Sequence, residues 1–321
     1  MEYSVAIRTL GKAGSNYQRL LNSLITQTIT PSRIIVYIAE GYDLPKETIG
    51  LEQYVYVKKG MVAQRALQYT EIDTEYILFL DDDVELSPQS VECLYDALEK
   101  HAGDVISPDL FYNHQRPLGT KILMLFSGRM VPRRDDGLWG YKVLRNGGFS
   151  YNNNPKNKVY QSQTNAGPCF FCRKETFLNI NFEQELWLDD VPYALGDDQV
   201  MFYKMHISNY KVLTVYNSGI VHLDAGTTLK SYDREQMLVY SDLRFKTIFW
   251  YRFIYKVDSR LLSRVVNVIC LLYTIVFSFL VSILKLDRKI LHSKITAVKD
   301  ARGCIKSPEF QNLRPVSILC E

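Results

Sequence analysis

Apolar and polar positions alternate in blocks over the first 110 residues. SVAIRTL, residues 4–10, is a short β-rich run. It gives way to SNYQRLLNSLITQT, where Tyr17, Leu20, Leu21, Leu24 and Ile25 fall at helical spacing and Ser15 is placed as an N-cap. RIIVYIAE is almost continuously apolar, as a parallel strand covered on both faces is. YVYVKK follows as a strand, MVAQRALQYT as a short helix and YILFL as a fourth strand. SPQSVECLYDALEK is a helix with Pro88 near its first turn. This rhythm predicts an α/β fold with a doubly wound, mostly parallel sheet. Ligands of such sheets bind beyond the carboxyl ends of the strands, which is where Glu40 and Asp81, Asp82 and Asp83 fall.

Residues 111–165 lose the regularity. They hold the turn-rich GGFSYNNNPKN and RMVPRRDDGLWG, and a connection this long predicts a lid or substrate loop. Order returns with AGPCFFCRKETF, a buried strand, and LGDDQVMFYKMHISNY, a loop entering a helix. KVLTVYNSGIVHL is strand material that reaches His222. There is no internal repeat and no low-complexity tract. The pattern divides the chain into a globular unit over 1–228, with halves 1–110 and 111–228, and a helical C-terminal region over 229–321.

At 321 residues, 47% apolar and 23% charged, the chain is expected to be globular with a large core. A net charge of +3 gives no nucleic-acid footprint. The amino terminus shows no basic stretch followed by an apolar run, so no secretory signal is expected. Six scattered cysteines then fit a reducing cytosol. Cys169 and Cys172 form a CxxC without a second such pair or a histidine pair, and are expected to pack inside a strand.

Three aspartates at the end of a buried strand call for a cation or strong hydrogen-bond donors. Alternate strand residues share a face, so Asp81 and Asp83 are expected to point together and Asp82 away. Two carboxylates converging at a sheet edge make a hard-oxygen site for Mg²⁺ or Mn²⁺, with phosphate oxygens and waters as further ligands. The alternative is a solvated acidic turn capping the next helix.

The order of motifs adds to this. A strand-end DxD about 80 residues into a βαβ domain resembles the nucleotide-sugar glycosyltransferases of the GT-A fold, and most closely the family 2 glycosyltransferases, over roughly residues 3–225. SLITQTITPSRIIVY is similar to the family's opening, which leads to an acidic residue that contacts the base; Glu40 is the match. GMVAQRALQYTEIDTEYILFLDDDVEL resembles its central stretch, where an arginine near the diphosphate precedes the LDDD strand; Arg65 matches. GDDQVMFYKMHISNYKVLTVYNSGIVHL resembles its later block, with Asp197 and Asp198 as the acidic pair and His222 as the following histidine. The sequence departs from the family's usual pattern in Asp197 for Glu, Ala66 for Asn, and IRTLGKAG at the end of the first strand.

The resemblance implies inverting transfer of a sugar from a nucleoside diphosphate, UDP-linked by expectation, to an acceptor hydroxyl of a glycan or lipid-linked acceptor. Asp83, with Asp81 and His222, is the expected metal site for Mg²⁺ or Mn²⁺. Thr9, Glu40, Arg65, Asp81 and Asp82 are the expected donor-binding residues. Asp198 is the expected general base, and Asp197 and Trp187 are expected on the acceptor side. A bland account exists for several: Asp197 and Asp198 as helix-dipole partners, His222 as an ordinary strand end, Trp187 as core. A nucleotidyltransferase is a second reading, but TLGKAGS is only a partial phosphate loop. A non-catalytic sugar- or membrane-binding module is a third.

Residues 265–284, VVNVICLLYTIVFSFLVSIL, carry no formal charge, and as a helix span about 30 Å. Eight Lys and Arg flank them on each side, over 229–264 and 285–321, so the positive-inside rule sets no direction. The expectation is a helix lying in or dipping into the cytoplasmic leaflet, with the aromatic and basic 243–257 beside it at the headgroups. A single span and a buried dimer helix are the alternatives. Membrane attachment suits a lipid-borne acceptor in surface polysaccharide assembly, as the family resemblance implies.

Overall fold

The computed structural model describes residues 1–110, 118–191, 193–223 and 232–316. The predicted alternation appears as β1 (Tyr3–Thr9), α1 (Ser15–Ile25), β2 (Arg33–Ala39), β3 (Glu52–Val57), β4 (Tyr76–Asp81), the short β5 (Val84–Leu86) and α2 (Ser90–Lys100). β1 pairs in parallel with β2 and β4, and β2 with β3. α1 buries Tyr17, Leu20, Leu21 and Leu24, the stripe expected from its spacing. Ser15 is its first helical residue, and Gly14 takes the cap position without a side-chain bond.

Residues 61–65 form turns rather than the predicted helix. Side-chain attachments outcompete the local helical spacing there. The Val62 and Ala63 amides donate to the Asp189 carboxylate, the Gln64 amide group donates to the Thr9 carbonyl, and Arg65 is buried toward the sheet edge.

The stretch expected to be irregular contributes α3 (Leu118–Phe126), β7 (Met130–Arg133), β8 (Trp139–Val143), β9 (Phe149–Asn152) and β10 (Val159–Ser162). These strands have four or five residues each and few apolar positions, so alternation hardly marks them. Residues 111–117 of the expected loop, and the expected boundary at 228/229, lie outside the described residues. With β6 (Val105–Pro108), β11 (Cys169–Arg173) and β12 (Val212–Val215), the main sheet has the order β3-β2-β1-β4-β11-β6-β12-β10-β8-β9-β7. β11 runs antiparallel to both β4 and β6, and β12 parallel to β6. Cys169 and Cys172 are fully buried in β11 and belong to the cores on opposite faces of the sheet. They pack, as expected, and burial pushes both thiols up.

α1 and α2 cover one face. The other face is closed by α4 (Lys174–Asn179), α5 (Asp197–Ile207) and α6 (Tyr232–Phe249), which continues into a π-helical segment, Trp250–Tyr255. Phe79, Phe170, Phe177, Phe202, Phe245, Phe249 and Phe253 form this second core, with Phe79 and Phe170 stacked at 4.3 Å. The segment 243–257, expected at headgroups, is therefore largely interior. Leu243, Phe245, Ile248, Phe249 and Phe253 are buried, and so are Arg244, Lys246 and Arg252. Its aromatic residues recur at helical spacing facing the sheet, and its cations reach acidic partners, as Arg252 reaches Glu185. α7 (Leu261–Leu284), α8 (Arg288–Lys306) and the short α9 (Pro308–Gln311) follow in the C-terminal region, as the sequence predicted for a helical extension with one apolar helix.

Candidate active site

β1 and β4 end side by side, and their register sets Arg8 directly beside Asp81. Arg8 grips Asp81 through Nε to Oδ1 and through Nη2 to Oδ2 at 3.0 Å. Its Nη1 donates to Asp197 Oδ2 and to the Met61 carbonyl, each at 3.0 Å. Arg65 approaches from beneath, 2% exposed, with its guanidinium over the Phe170 ring. Its Nη2 donates to Asp81 Oδ1 at 3.1 Å and to the Gly167 carbonyl at 2.9 Å, and its Nη1 to Asp198 Oδ1 at 3.2 Å. Two guanidiniums thus bind three carboxylates drawn from β4 and α5.

The three aspartates part company. β4 ends at Asp81 and the chain turns, so the two-residue strand periodicity no longer governs Asp83. Asp82 accepts a hydrogen bond from the Thr9 hydroxyl, and Asp83 Oδ2 lies 3.0 Å from His222 Nε2. Asp81 and Asp83 therefore have different partners: the first is held by Arg8 and Arg65, the second faces His222. His222 arrives on β13 (Ile220–His222), whose antiparallel pairing with β5 sets it opposite Val84.

α5 presents its acidic pair through an unusual start. Gly196 has φ +88°, a left-handed conformation that suits glycine. A Cβ there would lie 2.3 Å from the Phe245 ring. A Cβ at Gly167 would lie 1.8 Å from Asp198 Oδ1, so glycine leaves the room that this carboxylate occupies.

The electrostatics are uneven. Burial would raise Asp81, but Arg8 and Arg65 hold it below the usual carboxylate range. Burial first, then Asp81 and Asp83, push Asp82 up to about 6 against the Thr9 hydrogen bond. Burial and then Asp197 push Asp198 up to about 7 against Arg65 and Arg8, although its side chain keeps 28% exposure. Burial would lower His222, but its hydrogen bond to Asp83 raises it. Five carboxylates (Asp81, Asp82, Asp83, Asp197, Asp198) therefore face two guanidiniums and one histidine.

This surplus of negative charge fits a cation. Among the described residues no three His, Cys, Asp or Glu side chains converge as a metal-binding group. Asp83 Oδ2 and His222 Nε2 face each other at 3.0 Å and offer two such donor atoms. A divalent ion held there would take its remaining ligands from phosphate oxygens and water, as hard ions do.

Comparisons with known proteins bear on the frame that carries these residues. No family model matches the chain, and no curated protein does. Among solved structures, one described as GalNAc-T7 with UDP, GalNAc and Mn²⁺ superposes with a TM-score of 0.52 at 15% identity. The match covers 80% of this chain and 50% of that one, so the chain spans about half the length of its neighbour.

The chain has the GT-A fold. In this GT-A sheet the expected residues Thr9, Arg65, Asp81, Asp82, Asp83, Asp197, Asp198 and His222 all meet at one carboxyl edge. Glu40 lies just past β2 on the same edge, exposed, its amide bonded to the Val57 carbonyl. Beyond it Tyr42 is flanked by Lys12 and Lys59, at 4.8 and 5.0 Å from its ring.

Trp187 is elsewhere. It is 7% exposed, donates through Nε1 to the buried Glu185 at 2.7 Å and rests edge-on against Phe310, so it is a core side chain rather than an acceptor platform. A cleft of about 790 Å³, lined by Lys100, Lys156, Lys158 and Lys211, opens beside the start of β12. β12 runs in the same sense as β4, so that cleft belongs to the opposite edge of the sheet. Arg8 is the residue that sequence reasoning missed. Its signal is a charge, one residue before the strand's end, in a strand otherwise buried.

Proposed function

We propose that the chain is a metal-dependent, inverting glycosyltransferase of the family 2 type. It transfers a sugar from a nucleoside diphosphate, UDP-linked, to a hydroxyl of a glycan or lipid-linked acceptor, in surface polysaccharide or glycan assembly. The observation that carries this reading is the carboxylate surplus at the sheet edge, where Asp81, Asp82, Asp83, Asp197 and Asp198 gather around Arg8, Arg65 and His222. The UDP and Mn²⁺ named for the GalNAc-T7 structure of like fold support the donor and cofactor, and the order of motifs supports family 2.

In this reading Asp83 and His222 would hold Mn²⁺ or Mg²⁺, and the ion would offset charge building on the leaving diphosphate. Glu40 and Thr9 line the nucleoside side. Arg65 and Arg8 are fixed cations that set the positions of Asp81, Asp197 and Asp198 and add to the field at the diphosphate. Asp198 accepts the proton of the acceptor hydroxyl as its oxygen attacks the anomeric carbon and the C–O bond to the diphosphate breaks. Asp197 assists by raising the proton affinity of Asp198. Because such donors are cytosolic, the reading puts catalysis on the cytoplasmic side of a membrane.

The test is a panel of nucleotide sugars with Mn²⁺ or Mg²⁺, scored for nucleoside-diphosphate release and for transfer. Asp83→Ala should abolish metal-dependent release. Asp198→Asn should keep donor binding and lose transfer by at least about 100-fold, within the usual range for a general base. In the native protein kcat/KM should fall tenfold per pH unit below about 7, as Asp198 takes up a proton. Normal transfer by Asp198→Asn removes the base assignment, and a failure of every donor to bind with either metal removes the whole reading.

A further inference from the structure

α7 has two unlike faces. Asn267, Leu271, Thr274 and Ser282 are buried and, with Ser278, fall on one stripe at spacings of three and four. That stripe is tied to the protein along the whole helix. Near its start Asn267 Oδ1 accepts from Arg145 Nη1 at 2.9 Å, and the Asn267 carbonyl accepts from Trp250 Nε1 at 3.1 Å. At the middle Thr274 Oγ1 accepts from Asn146 Nδ2 at 2.8 Å. Toward the end the Ser278 carbonyl accepts from Lys294 Nζ at 2.6 Å.

The opposite stripe is bare and apolar. Leu262, Val265, Ile269, Leu272, Val276 and Ile283 are each about half exposed or more. α3 lies alongside: the Tyr273 hydroxyl donates to the Phe126 carbonyl at 2.9 Å, and Phe126 stacks with Phe277. α3 has no buried residue, and its Leu118, Ile122, Leu125 and Phe126 are exposed. Together the two helices show an apolar surface of a kind soluble monomers rarely expose.

Cations surround this surface. Lys121 lies on α3, Arg260 precedes α7, and Lys285, Arg288 and Lys289 follow it, all exposed. The acids at the same ends are engaged: Asp258 accepts from Asn267, and Asp287 caps α8 and accepts from Tyr232. By length and composition α7 is able to cross a membrane. Its ties to Arg145, Asn146 and Lys294 at successive levels weigh against that orientation, because a span would carry those polar and charged groups into hydrocarbon.

We propose that α3 and α7 together form a seat that lies flat in one leaflet of a bilayer containing anionic phospholipid. The apolar stripe faces the acyl chains and the surrounding cations meet the headgroups. Such a seat would serve the protein whatever reaction the sheet edge performs.

The full chain tests it, with single nitroxides on Leu262→Cys, Leu272→Cys, Leu284→Cys and Ile122→Cys after removal of the non-buried native cysteines. On phosphatidylcholine–phosphatidylglycerol vesicles, oxygen and nickel-chelate collision rates should give all four labels similar, shallow depths. A depth profile deepest at 272, with 262 and 284 near opposite headgroups, overturns the flat seat in favour of a span. Labels that ignore vesicles but become mutually close in a dimer overturn it in favour of a second copy. In sedimentation with the same vesicles, the double variant Ile122→Asp, Phe126→Asp should bind at least about tenfold more weakly, and unchanged binding overturns the part assigned to α3.

Discussion

Asp82 bears more of the site's electrostatic cost than its two neighbours, because its one polar partner is neutral. The fold raises its pKa to about 6, above the usual value near 4. A carboxyl raised on folding contributes stability that is complete below the unfolded pKa and is lost as pH climbs through the folded one. Asp82→Asn should therefore stabilise the metal-free protein at pH 8 by roughly 1–3 kcal/mol, with the gain shrinking between pH 6 and pH 4. Thermal unfolding at pH 8 and at pH 4 checks this. An acidic tip, an arginine before it and an acidic pair far downstream are visible as spacing, so most of this cluster was legible in the chain. Arg8 was not: its partners Asp81 and Asp197 are 73 and 189 positions away, and only strand register brings them together. The division of Asp81, Asp82 and Asp83 among four partners, Arg8 and Arg65, Thr9, and His222, was hidden for the same reason.

Among the elements, the 3-10 helical segment Phe182–Asp190 is held by a buried charge cluster. Glu185 is 0% exposed and accepts from Lys204 Nζ on α5, from Arg252 Nε and Nη2 on the π-helical segment, each at 2.9 Å, and from Trp187 Nε1. Removing the carboxylate strands two buried cations, and such breaks cost about 3–5 kcal/mol. Glu185→Ala should lose that much in urea unfolding, far more than a change at exposed Glu183. The chain's long apolar runs gave β1, β2, β4, α1 and α2 correctly, because each buries a full face. α3 and β7 to β10 escaped notice because they are short and border turn-rich sequence. The supposed helix at 61–70 failed because Asp189 and the sheet edge capture its backbone and side chains.

For the whole molecule, α6 and the π-helical segment make the start of the C-terminal region part of the interior. Phe245, Ile248, Phe249 and Phe253 close the second face of the sheet, and Phe245 packs against the glycine that opens α5. A chain ending at residue 228 should therefore be poorly soluble and lack a cooperative thermal transition. A sharp transition in that fragment would make the C-terminal helices an independent appendage. Their apolar content was plain in the sequence, but which aromatics face inward depends on helix phase relative to a distant sheet. The seam they close also carries its own reporters. Of three tryptophans, Trp187 rests on Phe310, and Trp250 donates to the Asn267 carbonyl. Loosening of these helices would wet both indoles, and a red shift in ultraviolet emission would announce it before any loss of secondary structure.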